Sequence, residues 1–316
     1  MTQLLLRQLR FQLILAALLV AAWVWIFSPA PALQWIFFLV MIIATGVPHG
    51  SLDFYVEQSR ANLQQNSFSL FRFFFRYLMN MLVYGIIWFW MPSFALLIFI
   101  FLTAYHFGQI DWPFHRPGWM NALLFSLQGF CFIIFIITVQ INDTAPVLEL
   151  LTKDALPAGY WIKNGALYAT LSFAGMLALL ILIPIYQYLQ GVTPPIILGW
   201  MAQTLFWCGF LYIMPLYVGF AFYFGCWHSL LSFDLIRQQL ALPPTTSGWL
   251  ELMKKALPFS LLALAGIGAL LFFFSADWQL NSSMGYIFMG IAILTLPHLQ
   301  VFSGLVDFVA AKRKSS

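Results

Sequence analysis

FQLILAALLVAAWVWIF, from Phe11 to Phe27, holds 17 residues without one charged side chain. A helix crosses the hydrocarbon of a bilayer in roughly 20 apolar residues, and this run is long enough to do so with its flanks. Arg7 and Arg10 precede it and Ala30-Pro31-Ala32 follows it, an outline that superficially resembles a secretory leader. The apolar run is longer than a leader's core and prolines crowd the small-residue motif, so the segment reads as an uncleaved first span.

The rest of the chain extends that reading. Of 316 residues, 62% are hydrophobic and 8% charged, with a mean hydropathy of +0.89. A soluble domain carries about 25% charged residues. The composition therefore fixes the fold class as all-α, a polytopic integral-membrane helix bundle of about 8–10 transmembrane helices. Candidate spans lie near 11–27, 33–50, 77–91, 93–110, 119–139, 165–188, 194–213, 215–236, 256–275 and 284–308. Pro92 and Pro215 make the tightest turns, and merging spans there lowers the count. FSLFRFFFRYLMN, Phe68 to Asn80, mixes arginine with aromatics and is expected to lie along the interface before the third span. No linker interrupts residues 1–316, which read as a single integral-membrane helical domain.

Charge then orients the chain. With the N-terminus cytoplasmic, Arg7, Arg10, Arg60, Arg72, Arg76, Arg116, Arg237, Lys254, Lys255, Lys312, Arg313 and Lys314 fall inside, and only Lys153 and Lys163 outside. That is 12 of the 14 basic residues, so both termini are expected to be cytoplasmic, in a bacterial inner membrane. The net charge of +4 speaks to topology, and no basic stretch is built for nucleic acid. Cys131, Cys208 and Cys226 sit in apolar runs without CxxC spacing and read as small buried hydrophobes.

Four of the five histidines fall within even-numbered spans: GVPHGSLDF (His49), AYHFGQID (His106), CWHSLLSFD (His228) and LPHLQVFSGLVDF (His298). His115, in DWPFHRPG, belongs to a polar loop. In the ten-span layout those even spans all run from outside to inside, which puts the four imidazoles at similar depth in the cytoplasmic half. Ionisable groups inside a membrane mark function or interhelical hydrogen bonds. Imidazole suits Fe, Cu and Zn, and a ligating histidine usually gives its other ring N–H to a carboxylate or carbonyl. Asp53, four residues after His49, is one turn away if the helix continues and is the expected partner. Asp111, Asp234 and Asp307 follow their histidines at longer spacings and are expected to cap helix ends or pair with basic loops. Gly46, Gly50, Gly108 and Gly225 permit close helix contact, and also leave room for a ligand beside three of the histidines.

Together, HGSLD (49–53), YHFGQID (105–111), WHS (227–229) and the late Pro297-His298 resemble the Brp/Blh family of membrane β-carotene 15,15′-dioxygenases. The resemblance implies an oxidoreductase with an Fe(II) cofactor held by histidines, cleaving β-carotene or a similar carotenoid with O2 to retinal. His49, His106 and His228 map onto the family's ligand positions. The family's third motif, WHSxRH, is here WHSLLS, with Leu231 and Ser232 in place of Arg-His. His298 then completes the shell, or three histidines and water do, or the metal chemistry is altered. No catalytic residue beyond the metal centre is expected. Tyr105, Phe107, Phe224 and Trp227, near the ligands, are the candidate substrate-binding aromatics. The implied partners are the apolar carotenoid, O2, the lipid bilayer and a retinal-using rhodopsin. Two other classes fit the bare histidine pattern: a b-type haem protein, and a non-catalytic carotenoid- or retinal-binding or transport protein.

Overall fold

The computed structural model describes residues 2–114, 118–153, 155–274 and 280–315, with side chains within 8–114, 118–153, 155–274 and 283–305. The side chains of Arg7, His115, Arg116, Asp307, Lys312, Arg313 and Lys314 lie outside the described residues.

Among the described residues every regular element is helical: α1 (Thr2–Phe27), α2 (Pro31–Met41), α3 (Val47–Gly50), α4 (Asp53–Leu63), α5 (Leu70–Trp90), α6 (Pro92–Asp111), α7 (Trp119–Val139), α8 (Ile141–Leu151), α9 (Ala158–Leu189), α10 (Pro194–Ile213), α11 (Leu216–Ala221), α12 (Ser229–Gln239), α13 (Thr246–Phe274) and α14 (Leu280–Ser315). Two π-helical segments, Ile42–Gly46 and Phe222–His228, join α2 to α3 and α11 to α12. Ten helices of the described residues are long and apolar enough to cross a membrane. They match the ten expected spans one for one, and the protein is an integral membrane protein. Pro92 and Pro215 do separate helices, Pro92 as the first residue of α6 and Pro215 as the residue before α11, neither offering an N–H to the turn before it.

One expectation fails. Phe68 to Asn80 is not a separate segment ahead of the third span, because α5 runs unbroken from Leu70 to Trp90. Ser69 starts it, its hydroxyl accepting from the backbone N–H of Arg72 at 3.4 Å, and no glycine or proline interrupts the next 15 residues. The arginines therefore ride on the first turns of the span itself.

The chain divides into two compact units, residues 1–42, 103–145 and 158–231 in one and 43–102, 146–157 and 232–316 in the other. In the first unit α7 packs on α9 and α10, α11 packs on α2, and α1 and α2 meet the π-helical segment Phe222–His228. Its core is aromatic: Trp200, Trp207, Tyr223 and Trp227 are sealed from solvent. Lipid tails are as apolar as these side chains, so helix association depends on close packing and polar contacts. Gln187 of α9 donates to Asn121 of α7 at 2.9 Å, and Trp200 of α10 donates to Gln128 of α7 at 3.2 Å.

In the second unit α14 packs on α3, α4, α5 and α13. Tyr84 of α5 donates to the carbonyl of Ala95 at 2.9 Å, bridging the Pro92 turn. Asp234 pairs not with a loop but within its own helix α12, Oδ1 accepting from Nη2 of Arg237 three residues on at 2.7 Å.

Candidate metal centre

Both histidines of the second unit follow a proline, His49 in α3 and His298 in α14. A proline inside a helix removes one backbone donor and crowds the carbonyl four residues back. Upstream of Pro48 the chain meets this by widening into the π-helical segment Ile42–Gly46. Such widened turns occur often at functional sites because they re-aim the side chains that follow. His49 then turns back on its own helix: Nδ1 lies 2.5 Å from the carbonyl oxygen of Gly46. A carbonyl can only accept, so Nδ1 carries the proton and the lone pair sits on Nε2.

Asp53 does not stand one helical turn below His49, because the helix does not continue. Ser51 and Leu52, with ψ of −5° and −1°, form a turn between α3 and α4. That turn puts Asp53 at the first position of α4, where the positive end of the helix dipole favours a carboxylate. Oδ1 meets Nδ1 of His298 at 2.8 Å, and Oδ2 accepts from the hydroxyl of Tyr77 at 3.0 Å. With the ionised carboxylate as acceptor, Nδ1 of His298 carries the proton and its lone pair lies on Nε2. The His49 and His298 rings stand 5.1 Å apart at 88°. Gly50 leaves space here, as a Cβ added to it would meet Nδ1 of His298 at an ordinary 3.6 Å.

His106 and His228 form the pair of the first unit, their rings 4.7 Å apart at 76°. His228 closes the π-helical segment and stacks on Phe107 with centroids 3.9 Å apart and planes within 12°. Phe224 lies 5.8 Å from Phe107 and nearly parallel to it, extending the stack. Two of the expected substrate aromatics thus flank the histidine, while Tyr105 packs edge-on against Phe125 at 5.1 Å. Trp227 points its indole N–H at Oδ1 of Asp111, 2.7 Å away.

Asp111 neither caps a helix end nor pairs with a basic loop. Its other oxygen accepts from the hydroxyl of Tyr223 at 2.5 Å, so one buried carboxylate clips the π-helical segment at both Tyr223 and Trp227. Arg10 stands nearby, donating to the carbonyl of Ile110 at 3.1 Å and lying 5.6 Å over the Trp227 ring. Charge-assisted bonds of this kind are about twice as strong as neutral ones. Replacing Asp111 with alanine strips the acceptor from two buried donors, each costing about 1–3 kcal/mol when left unmade. The expected result is a clear drop in the detergent melting temperature, with Asp111→Asn falling between it and the parent.

Close helix approach consumes two of the glycines. A Cβ on Gly108 would fall 1.9 Å from the carbonyl oxygen of Phe125, and one on Gly225 2.8 Å from Cβ of Met41. Sequence reasoning missed Tyr77, assigned to the interfacial segment, and the true partners of both aspartates.

His49, His106 and His298 each bury an imidazole able to bind a metal ion. In His49 and His298 the second nitrogen is committed to a carbonyl or a carboxylate, the arrangement metal-bound histidines use to fix their tautomer. The residues present fit an imidazole-ligated metal. Fold and site thus define a polytopic membrane protein with buried histidines that could hold a metal ion.

Its residues 40–306 match the family model described as beta-carotene 15,15′-dioxygenase, and the chain belongs to that family of carotenoid-cleaving enzymes. It is 24% identical over 280 residues to a beta-carotene 15,15′-dioxygenase from the uncultured marine bacterium 66A03, covering 86% of this chain and 92% of the relative. No solved structure matches the chain. Among the readings open at the level of sequence, the family match selects the oxygenase.

Proposed function

We propose that this protein cleaves the central double bond of β-carotene, or of a carotenoid like it, with O2 to give two molecules of retinal. One C=C bond breaks, and each half leaves as an aldehyde holding one oxygen atom of O2. The observation that carries the metal assignment is the orientation of His49 and His298, each held through Nδ1 with its lone pair on Nε2. His49, His106, His228 and His298 are the proposed iron ligands, with His298 standing in for the histidine that Ser232 replaces. Fe(II), when bound, supplies the activation of O2.

The remaining work belongs to the chain. The buried setting of all four histidines keeps bulk water from the reacting centre. Phe107 and Phe224 lie nearly parallel beside His228 and are the proposed aromatic contacts of the polyene, since aromatic faces attract positive charge that develops along it. Tyr105, half-buried one residue before His106, is the third proposed contact. Holding the 15,15′ bond in place removes much of the entropy cost of a bimolecular step. The proposed setting is a bacterial cytoplasmic membrane with both termini inside, supported by the 12 of 14 basic residues that this orientation places there. Retinal released into the bilayer is chemically suited to a retinal-using rhodopsin.

Bacterial cells that make β-carotene turn from orange to pale when this protein is expressed, and retinal appears in their extracts. Unchanged carotenoid beside well-expressed, iron-loaded protein overturns the proposal.

A further inference from the structure

We propose that Tyr77 is a positioning residue for the metal: through Asp53 it fixes the angle and tautomer at which His298 meets the ion. The inference rests on the reading of His298 as a ligand and adds a residue that touches neither metal nor substrate.

Tyr77 lies on α5, Asp53 at the first position of α4 and His298 on α14, so the chain of bonds Tyr77–Asp53–His298 ties three helices together. Both links have good hydrogen-bond lengths, 3.0 Å from the hydroxyl of Tyr77 to Oδ2 and 2.8 Å from Nδ1 of His298 to Oδ1. Each oxygen of the carboxylate has its own donor. A carboxylate held by one donor rotates about the Cβ–Cγ bond, and its second donor removes that freedom. The imidazole inherits the restriction, because its Nδ1–H must follow Oδ1. The position of Tyr77 gives it this part: it packs its ring against Phe73 at 5.6 Å, which holds the hydroxyl on Asp53.

A merely structural hydroxyl provides the contrast. Tyr84 lies two turns further along the same helix, and its hydroxyl donates to the carbonyl of Ala95 at 2.9 Å. Tyr77→Phe and Tyr84→Phe each delete one hydroxyl from α5, yet only the first reaches Asp53.

The experiment loads the purified full-length protein with Co(II) and titrates it with a chelator while the visible d–d bands are followed. Partners of ligating histidines typically contribute 10–100-fold in metal affinity. One bond further out, Tyr77→Phe is expected to release Co(II) at about 10-fold lower chelator activity than the parent, with shifted bands. Tyr84→Phe is expected to titrate like the parent whatever its melting temperature. Equal retention and an unchanged spectrum in Tyr77→Phe overturn the proposal, as does an equal loss in Tyr84→Phe. Failure of the underlying reading looks different, since His298→Ala would then hold Co(II) as the parent does.

Discussion

His298→Ala is expected to bind no more iron than background and to form retinal at least about 100-fold more slowly than the parent. The size follows from the ligand role proposed for this histidine. Removing a partner of a ligating histidine already costs 10–100-fold in affinity or activity, so removing the ligand itself must reach the upper end or exceed it. The substitution also leaves Oδ1 of Asp53 without the donor it has at 2.8 Å, a buried carboxylate deprived of half its support. An Asp53→Asn control separates these effects: it keeps the imidazole and is expected to lose less iron than His298→Ala. Metal analysis of the purified variants, read beside retinal yield, checks both statements. Iron retained in full by His298→Ala would exclude His298 as the ligand that makes up for Ser232. Returning the family's histidine at that position is not expected to rescue the variant. Ser232 is wholly buried, and an imidazole there must displace packed neighbours at about 1–3 kcal/mol.

What was legible in the sequence divides along a physical line. The spans were legible because each is a local property: some 20 apolar residues, ended by proline, glycine or charge, specify a crossing helix whatever surrounds it. The histidines were legible for a related reason, as groups a membrane helix does not carry without purpose. The partners of the aspartates were not. Asp53 sits four residues after His49, and the i,i+4 rule pairs them only on a continuous helix. Ser51 and Leu52 look unremarkable in sequence, yet they break that helix and hand the carboxylate to His298, 245 positions away in the chain. Asp111 follows His106 and instead clips the segment that carries His228, through Tyr223 and Trp227. In each unit, then, the acid that follows one histidine serves the helix of the other. Sequence spacing records the first relation and is silent on the second. Tyr77 was hidden for a different reason: the arginines around it read as an interfacial segment, and only the uninterrupted α5 places its hydroxyl on Asp53.

Gly108→Ala and Gly129→Ala are expected to be the most damaging single substitutions outside the histidines, each abolishing recovery of folded protein or lowering its detergent melting temperature by well over 10 °C. The two glycines face one another across α6 and α7. A Cβ on Gly108 would stand 1.9 Å from the carbonyl oxygen of Phe125, and one on Gly129 1.9 Å from that of Ala104. The obstacle in both cases is backbone, which has no rotamer to change. Relief requires the helices to part by more than 1 Å, because a carbon and a carbonyl oxygen touch at about 3.3 Å. Ordinary overpacking, which side chains can absorb, costs about 1–3 kcal/mol; a shift of two whole helices forfeits contacts along their length and exceeds that range. The loss also reaches the site. His106 lies between Ala104 and Gly108, so the turn of α6 that presses on α7 is the turn that carries the imidazole. A variant recovered in folded form should therefore show weakened metal retention together with its lowered stability. Gly266→Ala on α13 supplies the contrast: a Cβ there meets nothing within 4 Å, and the added methyl should leave stability and metal content unchanged. If Gly108→Ala behaves like Gly266→Ala, the close crossing of α6 and α7 is not what holds His106 in place.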